Sequence, residues 1–219
     1  ARRVHPNFRS LGDVRVGRPK SRVAHPKQQR VFSDDSRFIS QAVLLRGSRL
    51  HVASVGDCRA LLVSGEHTYQ QLTTDQRASE PAERARILEC GGEISADGRV
   101  WGSLIPSRTL GDFPWKDRDG GRALSSLPAC ASFSVLPTHK YLVLGSDGLF
   151  DVLQNRTIAR LIGRLNSGAQ RACNELVKEI KKRPGTDDTT VIVIHFDRDR
   201  QRECSADKPV GAVRRSVTV

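Results

Sequence analysis

The sequence predicts an α+β layered fold. Short apolar runs come in blocks, amphipathic helical segments form a block of their own, and strand and helix do not alternate regularly as a parallel sheet would require. Four apolar runs open the folded region: Ala42 to Leu45, Leu50 to Val55, Ala60 to Val63 and Thr68 to Leu72. Arg46-Gly47-Ser48-Arg49, Gly56-Asp57-Cys58-Arg59 and Ser64-Gly65-Glu66-His67 separate them with turn compositions, so the simplest arrangement is an antiparallel meander. Pro81 suits a first helical position, Ala82, Ala85 and Leu88 follow at helical spacing, and Gly91-Gly92 stops the run.

Further strands are predicted at Arg99 to Leu104, at Ala131 to Leu136, where Phe133 and Val135 alternate with serines, and at Tyr141 to Leu144. Asn155 is placed to cap a helix that repeats Ile158, Leu161, Ile162 and Leu165 on one face. A second helix carries Ala169, Ala172, Cys173, Leu176, Val177 and Ile180 and ends in Lys181-Lys182-Arg183-Pro184-Gly185. Thr189 to Phe196 is apolar at almost every step, the pattern of a strand covered on both faces.

The 219 residues suit one well-buried core with tails. Residues 1–36 are rich in Arg, Pro, Ser and Gly and read as a basic, unstructured arm; residues 37–196 read as the folded domain, and 197–219 as a polar tail. The net charge of +12 is concentrated in the arm, because residues 1–31 hold nine Arg or Lys against Asp13 alone. Such an arm can attract an acidic partner, whereas no aromatic-basic interleaving or zinc spacing supports nucleic-acid binding. No apolar run approaches the roughly 20 residues of a membrane span, and no leader is visible, so a cytoplasmic or nuclear protein is the expectation. The five cysteines are scattered and never form a CxxC pair, so they read as reduced thiols rather than a disulfide framework or zinc site. The chain lacks methionine and opens on Ala1, which fits removal of an initiator and equally a start partway through a longer product.

Chemistry points to carboxylates at strand ends: Asp57 after the second run, Asp147 after Tyr141 to Leu144, and Asp187 before the last strand. If those strands are neighbours, the three acids share one rim. Asp151 adds a fourth acid after Asp147, and Gly148 between them permits a sharp turn. Crowded carboxylates repel unless a cation stands among them, and oxygen-only clusters select hard ions such as Mg²⁺ or Mn²⁺. Each acid taken alone is more often a turn former than a ligand.

Five motifs occur together and in order: Ala53-Ser54-Val55-Gly56-Asp57-Cys58-Arg59-Ala60; Leu72-Thr73-Thr74-Asp75 with Glu83 to Ile87 and Gly91-Gly92; Arg99-Val100-Trp101-Gly102-Ser103-Leu104 with Ser107-Arg108-Thr109-Leu110-Gly111-Asp112; Leu142 to Asp151; and Asp187-Asp188-Thr189-Thr190-Val191. Together they resemble the metal-dependent protein phosphatase 2C (PPM-type) family. The resemblance implies a sandwich of two antiparallel sheets with helices on the outer faces. It also implies hydrolysis of phosphoserine and phosphothreonine in phosphoprotein substrates by a water activated between Mg²⁺ or Mn²⁺ ions, with no protein nucleophile. By the same resemblance Asp147 and Asp187 are ligands of the dinuclear centre, Asp57 and Asp151 join Asp147 at an additional, weaker metal position, and Arg108 and Asp112 belong to the flap region.

The family's N-terminal motifs, an Arg followed by Glu-Asp and then Asp-Gly-His-Gly-Gly, occur nowhere in this sequence. They would supply the phosphate-binding Arg and the Asp that bridges both metals, so the expected domain is incomplete at its N-terminus. Two readings follow: an incomplete chain of a protein serine/threonine phosphatase, or a pseudophosphatase that acts as a regulatory or interaction module.

Overall fold

The computed structural model describes residues 37–118, 120–165, 168–183, 187–196 and 215–218, all within the unit Phe32–Val219. The expected arm over 1–36 lies outside the described residues. Strands β2 (Ser40–Arg46) and β3 (Arg49–Val55) form a hairpin through Gly47-Ser48, with Gly47 at φ +57°. β3 also pairs with β7 (Ala129–Ser134), which starts two residues before the predicted strand, giving a three-stranded antiparallel sheet ordered β2-β3-β7.

The predicted four-strand meander is corrected here, because the chain changes sheets after β3. Strand β4 (Arg59–Val63) pairs instead with β5 (Tyr69–Gln71) and with β8 (Tyr141–Gly145). β8 in turn pairs with β9 (Thr190–His195), and β10 (Arg215–Thr218), inside the expected polar tail, closes a five-stranded sheet ordered β10-β9-β8-β4-β5. Periodicity explains the division. β4 is buried at Ala60, Leu61, Leu62 and Val63 in succession, so it needs cover on both faces and takes the interior of the larger sheet. Gly56 makes the crossover possible: it adopts φ +96°, and a β-carbon there would stand 2.4 Å from Ile39 Cγ2.

The two sheets pack face to face through Leu50, Val52, Ala60, Leu62, Leu72, Leu142 and Phe196. The opposite face of the larger sheet, with Leu61, Val63, Tyr141, Val143, Val191 and Val193, is covered by α4 (Asn155–Ile162) and α5 (Ala169–Ile180) through Ile158, Ile162, Ala172, Cys173 and Leu176. β9 is thus covered on both faces, as its composition predicts. The predicted cap is corrected: α4 begins at Asn155 itself, and the Asn155 side chain accepts from Arg59 at 2.9 Å and donates to Gln71 at 2.8 Å instead of binding the helix N-terminus. No helix among the described residues is long and apolar enough to cross a membrane.

A smaller lobe lies between β5 and β7. It contains α1 (Pro81–Glu89), α2 (Phe113–Lys116) and β6 (Leu110–Gly111), the last paired with β1 (Arg37–Phe38). Ala78, Ile87, Val100, Leu104, Ala123 and Leu124 form its core. The strand predicted at Arg99 to Leu104 is a tight reversal: Val100 and Leu104 exchange backbone hydrogen bonds of 2.8 and 3.1 Å around Trp101 at φ +48° and Gly102 at φ +71°. Two successive residues of positive φ cannot continue an extended strand. Glu83 ties the lobe together. Buried on α1, it accepts from Arg108 at 2.5 Å, Arg86 at 2.8 Å and Ser107 at 2.6 Å, while Arg86 and Arg108 donate onward to the carbonyls of Ala123 and Leu127.

Two outcomes are expected. Leu62→Ala, between the sheets, lowers stability by about 2–5 kcal/mol in urea denaturation, while exposed Leu44→Ala changes it by less than about 0.5 kcal/mol. Burial alone would raise the Glu83 carboxyl, but the hydrogen bonds from Arg108, Arg86 and Ser107 outweigh it and hold the group down from 4.5 to about 2. A depressed folded-state pKa contributes stability above about 4.5 that is lost as pH falls towards about 2. Glu83→Gln should therefore cost about 3 kcal/mol at neutral pH and flatten the fall in thermal midpoint across that acid window.

Candidate functional site

The register of the larger sheet brings the predicted acids to one edge. Arg59 on β4 pairs with Gly145 on β8, and Gly145 pairs with Val191 on β9. Asp57 just precedes the first of these positions, Asp147 just follows the second, and Asp187 just precedes the third, so all three stand at the same rim. Asp147 opens the one-turn helix α3 (Asp147–Phe150), and Asp151 follows it, its N–H donating to the Asp147 carbonyl at 2.8 Å. Ser146 fastens this turn to β9: its N–H donates to Thr190 O at 3.1 Å, and its Oγ accepts from Thr190 N at 3.1 Å. Gly148 acts here by size rather than by an unusual dihedral angle. It lies within α3, and a β-carbon would stand 2.7 Å from Asp188 O and 2.8 Å from Thr189 Oγ1. A side chain at 148 would push the Asp147 turn away from the Asp187-Asp188 segment.

Asp57 is 1% exposed, and its Oδ1 has no hydrogen-bond partner among the described residues. Burial pushes its carboxyl above the usual range; Arg77 pulls the other way without cancelling the effect, and the charge of Asp147 adds to it. Asp147 is also raised, first by burial and then by the charges of Asp187 and Asp151, against the opposing hydrogen bond from Gly148 N–H and the charge of Arg77. Asp147 Oδ1 accepts from Gly148 N at 2.9 Å, and Asp187 Oδ1 accepts from Asp188 N at 2.8 Å. These neutral amide donors fix carboxylate orientation without cancelling charge. Neither Asp147 nor Asp187 forms an ion pair with a Lys or Arg among the described residues. As arranged, no three His, Cys, Asp or Glu side chains among the described residues are grouped to hold a metal ion. Asp147 and Asp187 nevertheless have the chemistry a hard cation needs: anionic oxygen donors, repulsive without one.

Two arginines shape this rim: Arg77, which the motif reading does not single out, and Arg59, which lies within the first motif. Arg77 spans Asp57 and Asp151, donating from Nε to the first at 2.9 Å and from Nη2 to the second at 2.9 and 3.0 Å. Arg59 grips Asp75 with two bonds of 2.9 and 2.5 Å and lies 4.8 Å over the Phe150 ring, so two motif residues turn out to brace the site. Arg108 binds Glu83, which gives it an anchoring place in the smaller lobe. Asp112 sits in that lobe at φ +55°, its carbonyl accepting from Trp115 and Lys116 at 3.1 Å. The signal for Arg77 is its position two residues after Asp75, in a segment the motifs already mark. Cys58, beside Asp57, is pushed up to about 12 by burial and by the charges of Asp57, Asp147 and Asp75, which keeps it a thiol and a poor nucleophile.

A family model described as protein phosphatase 2C matches residues 27–190, a match that begins inside the segment read as an arm. "Probable protein phosphatase 2C 2" of Oryza sativa subsp. japonica is 36% identical over 169 residues, covering 75% of this chain and 44% of that protein. "Probable protein phosphatase 2C 27" of Arabidopsis thaliana is 32% identical over 197 residues, covering 85% of this chain and 51% of the relative. A solved phosphatase from Toxoplasma gondii, 28% identical, superposes with a TM-score of 0.59 over 67% of this chain and 44% of its own. The chain spans about half the length of the curated relatives it matches. With a match over most of its length and its motifs carried on a two-sheet sandwich, the chain belongs to the protein phosphatase 2C family.

Proposed function

We propose that this chain forms part of a protein serine/threonine phosphatase, acting on phosphoserine and phosphothreonine in phosphoprotein substrates with Mg²⁺ or Mn²⁺. The observation that carries the reading is the pair Asp147 and Asp187, anionic oxygen donors at the ends of adjacent strands with no ion-pair partner among the described residues. When bound, such ions supply a water of lowered pKa and neutralise phosphoryl oxygens during in-line attack. Asp147 and Asp187 would hold the cations. Ser146, Gly148 and Thr190 keep the two carboxylates in register, and the Arg59–Asp75 pair braces β4 beneath them. Cys58 stays protonated and takes no part as nucleophile.

Hydrolysis of a phosphothreonine peptide by the purified chain should depend on Mn²⁺ and fall by more than about 100-fold in Asp147→Asn, since even outer-shell changes at metal sites cost 10–100-fold. A folded, soluble chain with no Mn²⁺-dependent turnover would instead support the non-catalytic module, and an insoluble chain would point to a fragment of the enzyme.

A further inference from the structure

The rim holds a cation of the chain's own. Arg77 is 22% exposed and engages Asp57, 1% exposed, and Asp151, 54% exposed, at once. Its fork occupies Asp57 Oδ2 and both oxygens of Asp151. By the family resemblance these two acids belong to the additional metal position, yet three of their four oxygens already accept from a guanidinium.

The arginine is held in place from behind. Gln76, its neighbour, accepts from Gly56 N at 2.7 Å and donates to Ser54 O at 3.2 Å through its side-chain amide. The Gln76 carbonyl also accepts from Ser107 N at 2.7 Å, and Arg77 itself bridges to Pro106. The backbone that carries Arg77 is therefore tied both to the crossover at Gly56 and to the smaller lobe. A preorganised planar guanidinium loses less freedom in making two carboxylate bonds than a mobile surface side chain does. Burial opposes the charge on Arg77, but the Asp151 hydrogen bond and the surrounding acids more than restore it. Removing Arg77 would leave buried Asp57 uncompensated, the condition under which a carboxylate pair recruits another cation.

We propose that Arg77 is the resident cation of the Asp57–Asp151 pair, excluding a divalent ion from that position and confining metal binding at this rim to Asp147 and Asp187. The second half of this statement rests on the metal reading above, and the first does not. The test is Mn²⁺ titration of the full chain, followed by electron paramagnetic resonance, for wild type, Arg77→Met, Asp151→Asn, Arg77→Met with Asp151→Asn, and Asp147→Asn. Arg77→Met should bind about one more Mn²⁺ per chain than wild type, because ligand charge sets the affinity of such sites. Asp151→Asn in the Arg77→Met background should abolish the extra ion, and Asp151→Asn alone should leave the wild-type count unchanged. Equal binding by wild type and Arg77→Met, or loss of an ion in Asp151→Asn alone, overturns the proposal. The single Asp151→Asn variant keeps the test decisive if Arg77→Met does not fold. Asp147→Asn isolates the metal reading: unchanged binding there refutes that reading and leaves the Arg77 comparison standing by itself.

Discussion

Like-charge repulsion at one sheet edge is the constraint around which this site is built. Asp57, Asp147, Asp151 and Asp187 stand where β4, β8 and β9 end together, and their charges act on one another. Such crowding persists only with compensation, and the rim is compensated unevenly. On the Asp57–Asp151 side an arginine of the chain supplies positive charge. On the Asp147–Asp187 side, local amide donors orient the carboxylates and leave their charge in place.

That asymmetry depends on the sandwich below it. The carboxylates lie on short turns, but the turns spring from strands that are locked on both faces, by the second sheet on one side and by α4 and α5 on the other. Close packing resists displacement, so the spacing of the acids is inherited from strand register rather than from the turns. The smaller lobe contributes as well, since Arg77 is anchored through Gln76 and Pro106 to a segment whose own fold is centred on Glu83. The network from Glu83 through Ser107 and Gln76 to Arg77 gives the lobe a direct structural connection to the rim.

Much of this was legible in the sequence where burial dictates pattern. The unbroken apolar run of β9 and the amphipathic spacing of α4 and α5 report cover on two faces and on one, and these elements occur close to their predicted positions. Periodicity reports how deeply a residue is buried but not which strand it meets, so the split between β3 and β4 leaves no trace in the sequence and a meander is the simplest pattern that fits it. Trp101 hid a reversal, because a bulky residue at positive φ is uncommon and nothing in a Val-Trp-Gly run announces it. Gly148 was legible as necessary, though the reason is close approach to Asp188 rather than a sharp turn. Arg77 carries no motif signal because its partners are remote in sequence: a salt bridge across such a separation is set by topology, which short motifs do not encode.

Anomalous diffraction at the manganese edge from crystals of the chain grown with Mn²⁺ would test the central claim most directly. The account expects a peak about 2.1 Å from carboxylate oxygens of Asp147 and Asp187, with Arg77 still bridging Asp57 and Asp151. No peak at Asp147 and Asp187, or an ion between Asp57 and Asp151 with the guanidinium displaced, would contradict it.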